Sequence, residues 1–334
     1  MPLSQIGNGN TGLQSRTKIN AAIDALNALR ATGVAFVDAT LGDDGTGEVD
    51  NPAAPFQSIQ AAFDAGATCF SIAFGNVGTL DVGDWAGTLS FIGVGRGFSS
   101  IGAITRTGAA PGLLKLIGNG KDMITVESIT NAGTNGADGT NGVNPGDPGT
   151  NGGDGEAAGD IEVYGMTVTF SVTCVGGDGG AAGNGADGDG NAIGGGAGGT
   201  GGDGGGCGAC LVEECYVGGS VLVNGGDGTN GGHGGDDILV GGNGGNGGSG
   251  GAAGALTIRR STVLAGTNNA GGALGAGGGG GTGVVNGTPG ADGVAGAKAN
   301  FNGYFSESGV PADYDTAVVR AMVIDGTFYA DTYP

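Results

Sequence analysis

Residues 176–206 read GGDGGAAGNGADGDGNAIGGGAGGTGGDGGG, a stretch with almost no side chains to pack. Outward from it, residues 131–290 hold 60 of the chain's 85 glycines in 160 positions. The glycines are phased. Gly133, Gly136, Gly139 and Gly142 step by three, Gly146, Gly149, Gly152 and Gly155 repeat the step after a slip, and 241–248 reads GGNGGNGG. Three residues per turn is the period of an extended polyproline-II-like helix, which makes no internal hydrogen bonds and turns its amides and carbonyls outward. Glycine adopts it freely, and its bare faces let neighbouring segments approach. The window has 31 residues of the types Ile, Leu, Val, Met, Phe, Tyr and Cys, too few to order it by side-chain burial alone. Order has to come from main-chain bonding between runs. Flexible loops and a collagen-like triple helix confined to 131–155 are the alternatives.

Apolar bursts interrupt the glycine: 160–175 (DIEVYGMTVTFSVTCV), 209–223 (ACLVEECYVGGSVLV), 236–240 and 255–266. In the first, Ile161 and Val163 share one side, then Met166, Val168, Phe170 and Val172 share a side, with Gly165 at the register shift. A glycine there marks a bend. Similar bursts at 68–74, 88–94, 113–118 and 123–128 predict many short strands rather than strand–helix alternation. The expected fold class is all-β, with a short N-terminal α-helix over 16–30, where Ile19, Ile23 and Leu26 lie on one face. That helix packs on its own body or docks on a partner.

Lys+Arg total 11 against 32 Asp+Glu, a formal charge of −21. Such a surface repels nucleic acid and anionic lipid. No run is long and apolar enough to predict a membrane span, and Met1–Gly9 lacks the pattern of an export signal. The chain divides into an attachment segment (1–33), a strand-and-cap segment with first coils (34–130), the glycine-rich body (131–290) and a terminal cap (291–334).

Residues 37–66, VDATLGDDGTGEVDNPAAPFQSIQAAFDAG, preceded by the strand-like VAF, resemble the start of right-handed parallel β-helices of the pectin-lyase-like kind, in which a strand and a short capping helix precede the coils. TGLQSRTKINAAIDALNAL (11–29) looks like the N-termini of some phage tail-fibre and tail-appendage proteins, and the glycine tracts resemble those of tail-tip adhesins with stacked polyglycine-II helices. These resemblances imply a right-handed parallel β-helix with polyglycine-II helices in its turns, located in the virion. They imply a homotrimeric, non-enzymatic tail protein that meets other tail proteins and binds a host surface glycan or protein. A polysaccharide-degrading enzyme on the same scaffold and a virion decoration protein are the alternatives.

Recognition would run through polar residues of the glycine-rich loops, with Thr229, Asn230, His233, Asn243 and Asn246 as ligand-binding candidates. Gly231–Leu239 fits the calcium nonapeptide GGxGxDxUx, but its neighbours in sequence do not repeat it, and calcium at such sites is shared between repeats. The loop bearing Asp38, Asp43, Asp44, Glu48 and Asp50 is a second hard-cation candidate, although a solvated loop explains it better. Cys207, Cys210 and Cys215 form the one cysteine cluster, open to packing, a disulfide or a metal; the lone His233 lies too far along for a standard zinc module. Carboxylate pairs for glycosyl transfer could come from Asp160/Glu162 or Glu213/Glu214. Arg259 and Arg260 stand alone in an acidic block that would repel a polyanionic substrate.

Overall fold

The computed structural model describes residues 33–95, 98–108, 112–191 and 193–299, with the backbone of 301–304, 319–324 and 327–332. The helix expected over 16–30, and with it Ile19, Ile23 and Leu26, lies outside the described residues.

Alternating apolar residues make the strands, and in-register parallel pairing turns that alternation into columns. One sheet runs β1 (Val34–Val37), β2 (Cys69–Ile72), β5 (Gly87–Gly93), β7 (Leu114–Gly118), β9 (Ile161–Tyr164), β12 (Cys210–Glu213), β15 (Leu256–Arg259) and β18 (Phe301–Tyr304). Its register aligns Leu89, Leu116, Val163, Val212 and Ile258 in one inward column, every member buried. In the adjacent inward column Phe70 of β2 and Phe91 of β5 stack, with ring centroids 5.5 Å apart.

The second sheet is built on β8 (Thr125–Ala132). On one side lies β6 (Ser99–Thr107), which carries β3 (Gly75–Asn76) and β4 (Leu80–Asp81). On the other, β8 is long enough to pair with both β10 (Thr167–Val168) and β11 (Val172–Val175). Those two strands continue separately into β13 (Tyr216–Val217) with β16 (Thr262–Val263), and β14 (Val221–Asn224) with β17 (Thr267–Ala270). All pairings among β1–β18 are parallel, so both sheets bury one face on a single apolar core. A separate antiparallel pair, β19 (Val319–Ile324) and β20 (Thr327–Thr332), follows.

This architecture corrects the expected right-handed parallel β-helix with polyglycine-II helices in its turns. The strands wrap one core as a flattened, nearly closed parallel barrel, and helix among the described residues is confined to the six-residue α1 (Ile59–Asp64). The glycine tracts are not turns of that wall; they leave it and gather into a slab beside it. The reason lies in how the bursts break. The 160–175 burst bends at Gly165, whose φ is +59°, and so gives β9 to one sheet and β10 and β11 to the other. Glu214 and Arg260, aligned with Gly165 in the next two repeats, take the same left-handed conformation at φ +56° and +46°.

The acidic loop serves the fold. Asp44 accepts the amides of Gln57 and Ser58 at 2.8 Å each and the Ser58 hydroxyl at 2.8 Å, while Ser58 Oγ caps α1 by accepting from Ala61. Asp38, Asp43 and Asp50 accept loop or strand amides, and Glu48 accepts from the Asn51 side chain. Arg106 is buried where the slab meets the wall, donating to the carbonyls of Gly112 and Asp160. Burial lowers its pKa, opposed by the nearby Asp160 carboxylate.

Candidate functional site

The slab consists of eight extended tracts in two layers. One layer holds 133–142, 176–188, 225–237 and 271–283; the other holds 149–158, 195–208, 241–254 and 287–297. The triplet Gly179-Gly180-Ala181 shows how it is bonded. Gly179 donates to Asp227 O in the next tract of its own layer at 2.9 Å, and Gly180 donates to Gly153 O in the opposite layer at 2.7 Å. The amide of Ala181 donates to the Asp138 side chain in the preceding tract at 2.9 Å. Three amides thus leave in three directions, and each finds an acceptor.

Glycine is required by the approach. A Cβ on Gly180 would sit 2.0 Å from Ala137 O, and one on Gly199 would sit 2.1 Å from Thr150 O. The rule relaxes where no further tract follows. In the last tract the positions that would donate onward are Asn286, Pro289, Asp292 and Ala295, whereas their counterparts Gly241, Gly244, Gly247 and Gly250 all donate to that tract.

The third residue of each triplet faces out, and here most of the ligand candidates are found. Asn230 Oδ1 accepts the amide of Ala276 at 2.8 Å, Asn243 Oδ1 that of Thr288 at 2.9 Å, and Asn246 Oδ1 that of Ala291 at 2.9 Å. His233 Nδ1 accepts from Gly279 at 2.9 Å, which assigns the proton of the neutral ring to Nε2. Thr229 is no loop residue: it lies between tracts, its hydroxyl donating to Gly180 O at 2.5 Å and accepting from Gly202 at 3.1 Å. These five residues are rungs between tracts. Sequence reasoning saw polar side chains in loops; the signal that would have found the rungs is the Asn or Asp at every third position.

The calcium nonapeptide forms the return at the slab's far end. Asp236 accepts the amide of Thr282 at 2.7 Å, and that bond holds its carboxyl below the usual range. Asp237 accepts from Gly190, Leu239 and Val240 at 3.1–3.2 Å; partial burial raises its pKa, but the amide bonds together win and lower it. Among the described residues no group of three or more His, Cys, Asp or Glu is placed to hold a metal ion.

Cys207 pairs in a disulfide with Cys174, at the foot of the 176–206 excursion. Cys210 and Cys215 are free and buried, and burial pushes their thiols up to about 12 and about 11. Asp160 and Glu162 border a shallow recess of about 170 Å³ with Thr257 and Arg259. Asp160 accepts the amide of Ala209 at 2.8 Å, while Glu162 holds Lys115 at 3.2 Å and the Tyr164 hydroxyl at 2.9 Å. Glu213 and Glu214 both pair with Arg260.

The feature that the sequence reading missed is the far end itself. The returns between tracts expose Val143, Ile193, Ile238, Leu239, Val240, Val284 and Val285. These are large aliphatic residues at the tip of a slab made of glycine and small polar side chains.

No protein family matches the chain, and no curated protein matches it. A solved structure that does match is described as the nine polyproline type II helical bundle springtail antifreeze protein from Granisotoma rainieri. It is 27% identical, over 49% of this chain and 94% of that one, with a TM-score of 0.16; at that score the likeness carries no inference about fold or function. The expected host-binding role in a phage tail is corrected on two grounds. The wall is a near-barrel rather than a tail β-helix, and no tail protein is found among these matches.

Proposed function

We propose that this protein is a non-catalytic structural protein in which the glycine slab is a stiff arm, projecting from the β body and carrying an apolar tip. The observation that supports it is the three-way bonding of inner triplets, worked out at Gly179-Gly180-Ala181, which leaves their backbone little to gain by opening. A net worth of about 0.5–1.5 kcal/mol per bond, repeated along eight tracts, makes opening cooperative. The engaged state of the Asp160, Glu162, Glu213 and Glu214 carboxylates also fits a body built for shape rather than turnover. Amide exchange on the full chain tests the reading. Exchange at Gly180, Gly199, Gly202 and Gly232 as slow as in β8 and β12 is the expected result. Loop-like exchange at those four amides would overturn it.

A further inference from the structure

We propose that the tip of the slab is a docking surface for a protein partner that presents an apolar recess with a basic rim, an inference that rests on the stiff-arm reading above. The returns join into one continuous surface. Val284 donates to Ile238 O at 3.1 Å and Val285 to Leu239 O at 2.8 Å, and Gly195 donates to Val240 O at 3.0 Å. Ile193 lies so close to the neighbouring return that a Cβ on Gly146 would meet its Cγ2 at 2.4 Å, and a Cβ on Gly190 would stand 3.3 Å from Ile238 Cδ1. The backbone therefore fixes where these side chains stand before any partner arrives, which lowers the ordering cost of binding.

The exposure has no structural motive. A return of this kind is made as readily by Gly, Asn, Asp or Ser, yet Val284 is 81% and Ile238 68% exposed. Large aliphatic residues gathered on a polar surface mark an interaction site. Charge selects the occupant. Asp147, Asp187, Asp189, Asp236 and Asp237 surround the apolar residues, and no Lys or Arg occurs between Asp122 and Arg259. Tip-to-tip contact with a second copy would set carboxylates against carboxylates, and an anionic bilayer would be repelled likewise. A partner with Lys or Arg around an apolar recess meets both features.

A labelled amphipathic peptide of leucine and lysine, with a leucine–glutamate peptide of the same pattern as control, is titrated against the full chain. Saturable binding of the lysine peptide alone is expected. It should weaken about tenfold or more in an Ile238→Ser/Leu239→Ser/Val284→Ser variant, and less in Asp236→Asn, which keeps its amide bond and loses only charge. Equal binding by the triple variant overturns the proposal, as does equal binding of the acidic peptide. So does self-association, or flotation with phosphatidylcholine or phosphatidylserine vesicles, that the triple variant abolishes. Amide exchange on the same samples separates the two readings: slow tracts with an unresponsive tip sink the docking proposal alone, and fast tracts sink the arm.

Discussion

Asn184 Oδ1 accepts the backbone amide of His233 at 2.8 Å, and His233 in turn accepts that of Gly279 through its own side chain. An asparagine and a histidine thus occupy successive rungs of one ladder and do the same work. Replacing Asn184 with Leu removes the acceptor and should cost about 0.5–1.5 kcal/mol. His233→Asn restores an equivalent rung and should fall within about 0.5 kcal/mol of the parent. Denaturant midpoints at unchanged slope measure both, and an inert Asn184→Leu would contradict the ladder's role.

Gly180→Ala forces a methyl carbon against Ala137 O, so the neighbouring tracts 133–142 and 176–188 must part. A loss of about 1–3 kcal/mol or more is expected, as for overpacking of a tight core. Gly206 is the control, because its nearest neighbour to an added Cβ is Ala252 O at 3.4 Å. Thermal unfolding should separate the two variants clearly; equal midpoints would mean that tracts 133–142 and 176–188 are not in contact at Gly180.

The Cys174–Cys207 bridge closes a span of 33 residues. In the chain-entropy view a loop of that size is worth about 3–4 kcal/mol. Reduction, or the Cys174→Ala/Cys207→Ala variant, should lower the melting temperature and hasten amide exchange in 176–206 before it does so in β8. A melting curve indifferent to reductant would count against the bridge.

Acid should loosen the tip first. The Asp147 carboxyl is lowered by the amide and side chain of Asn144, and Asp236 by Thr282. Groups that titrate lower in the folded chain than in the unfolded one stabilise it fully above about pH 3.9, the ordinary Asp value. That contribution disappears as pH falls through their folded values. Amide resonances of Thr282 and Asn144 followed by NMR should therefore move with midpoints below that value; midpoints at or above it would refute the assignment.

Much of the wall was legible because strand alternation is a local signal. The spacing of Ile161 and Val163 and the break at Gly165 describe β9 and the bend after it. What was not legible is how the strands close. How many strands of a burst the second sheet takes up depends on the length of β8, which pairs with β10 and β11 at once. In the slab the three-residue period pointed to extended runs. The rungs were not legible because Asn243 and Asn246 look the same in sequence whether or not their amide groups hold the next tract. The tip was missed for another reason: Ile193 and Val284 are far apart in the chain, and only the stacking of returns makes them one surface.

The last tract, with Asn286, Pro289, Asp292 and Ala295 where earlier tracts place glycine, has a consequence for solubility. An array whose members all shared the glycine pattern would present at its rim the same template it uses inside, and could recruit other molecules without limit. Proline removes one donor there, and side chains hold a newcomer's backbone at a distance. The arm is finite because its final tract is a poor substrate for its own polymerisation, and a chain cut after residue 283 should grow into fibres.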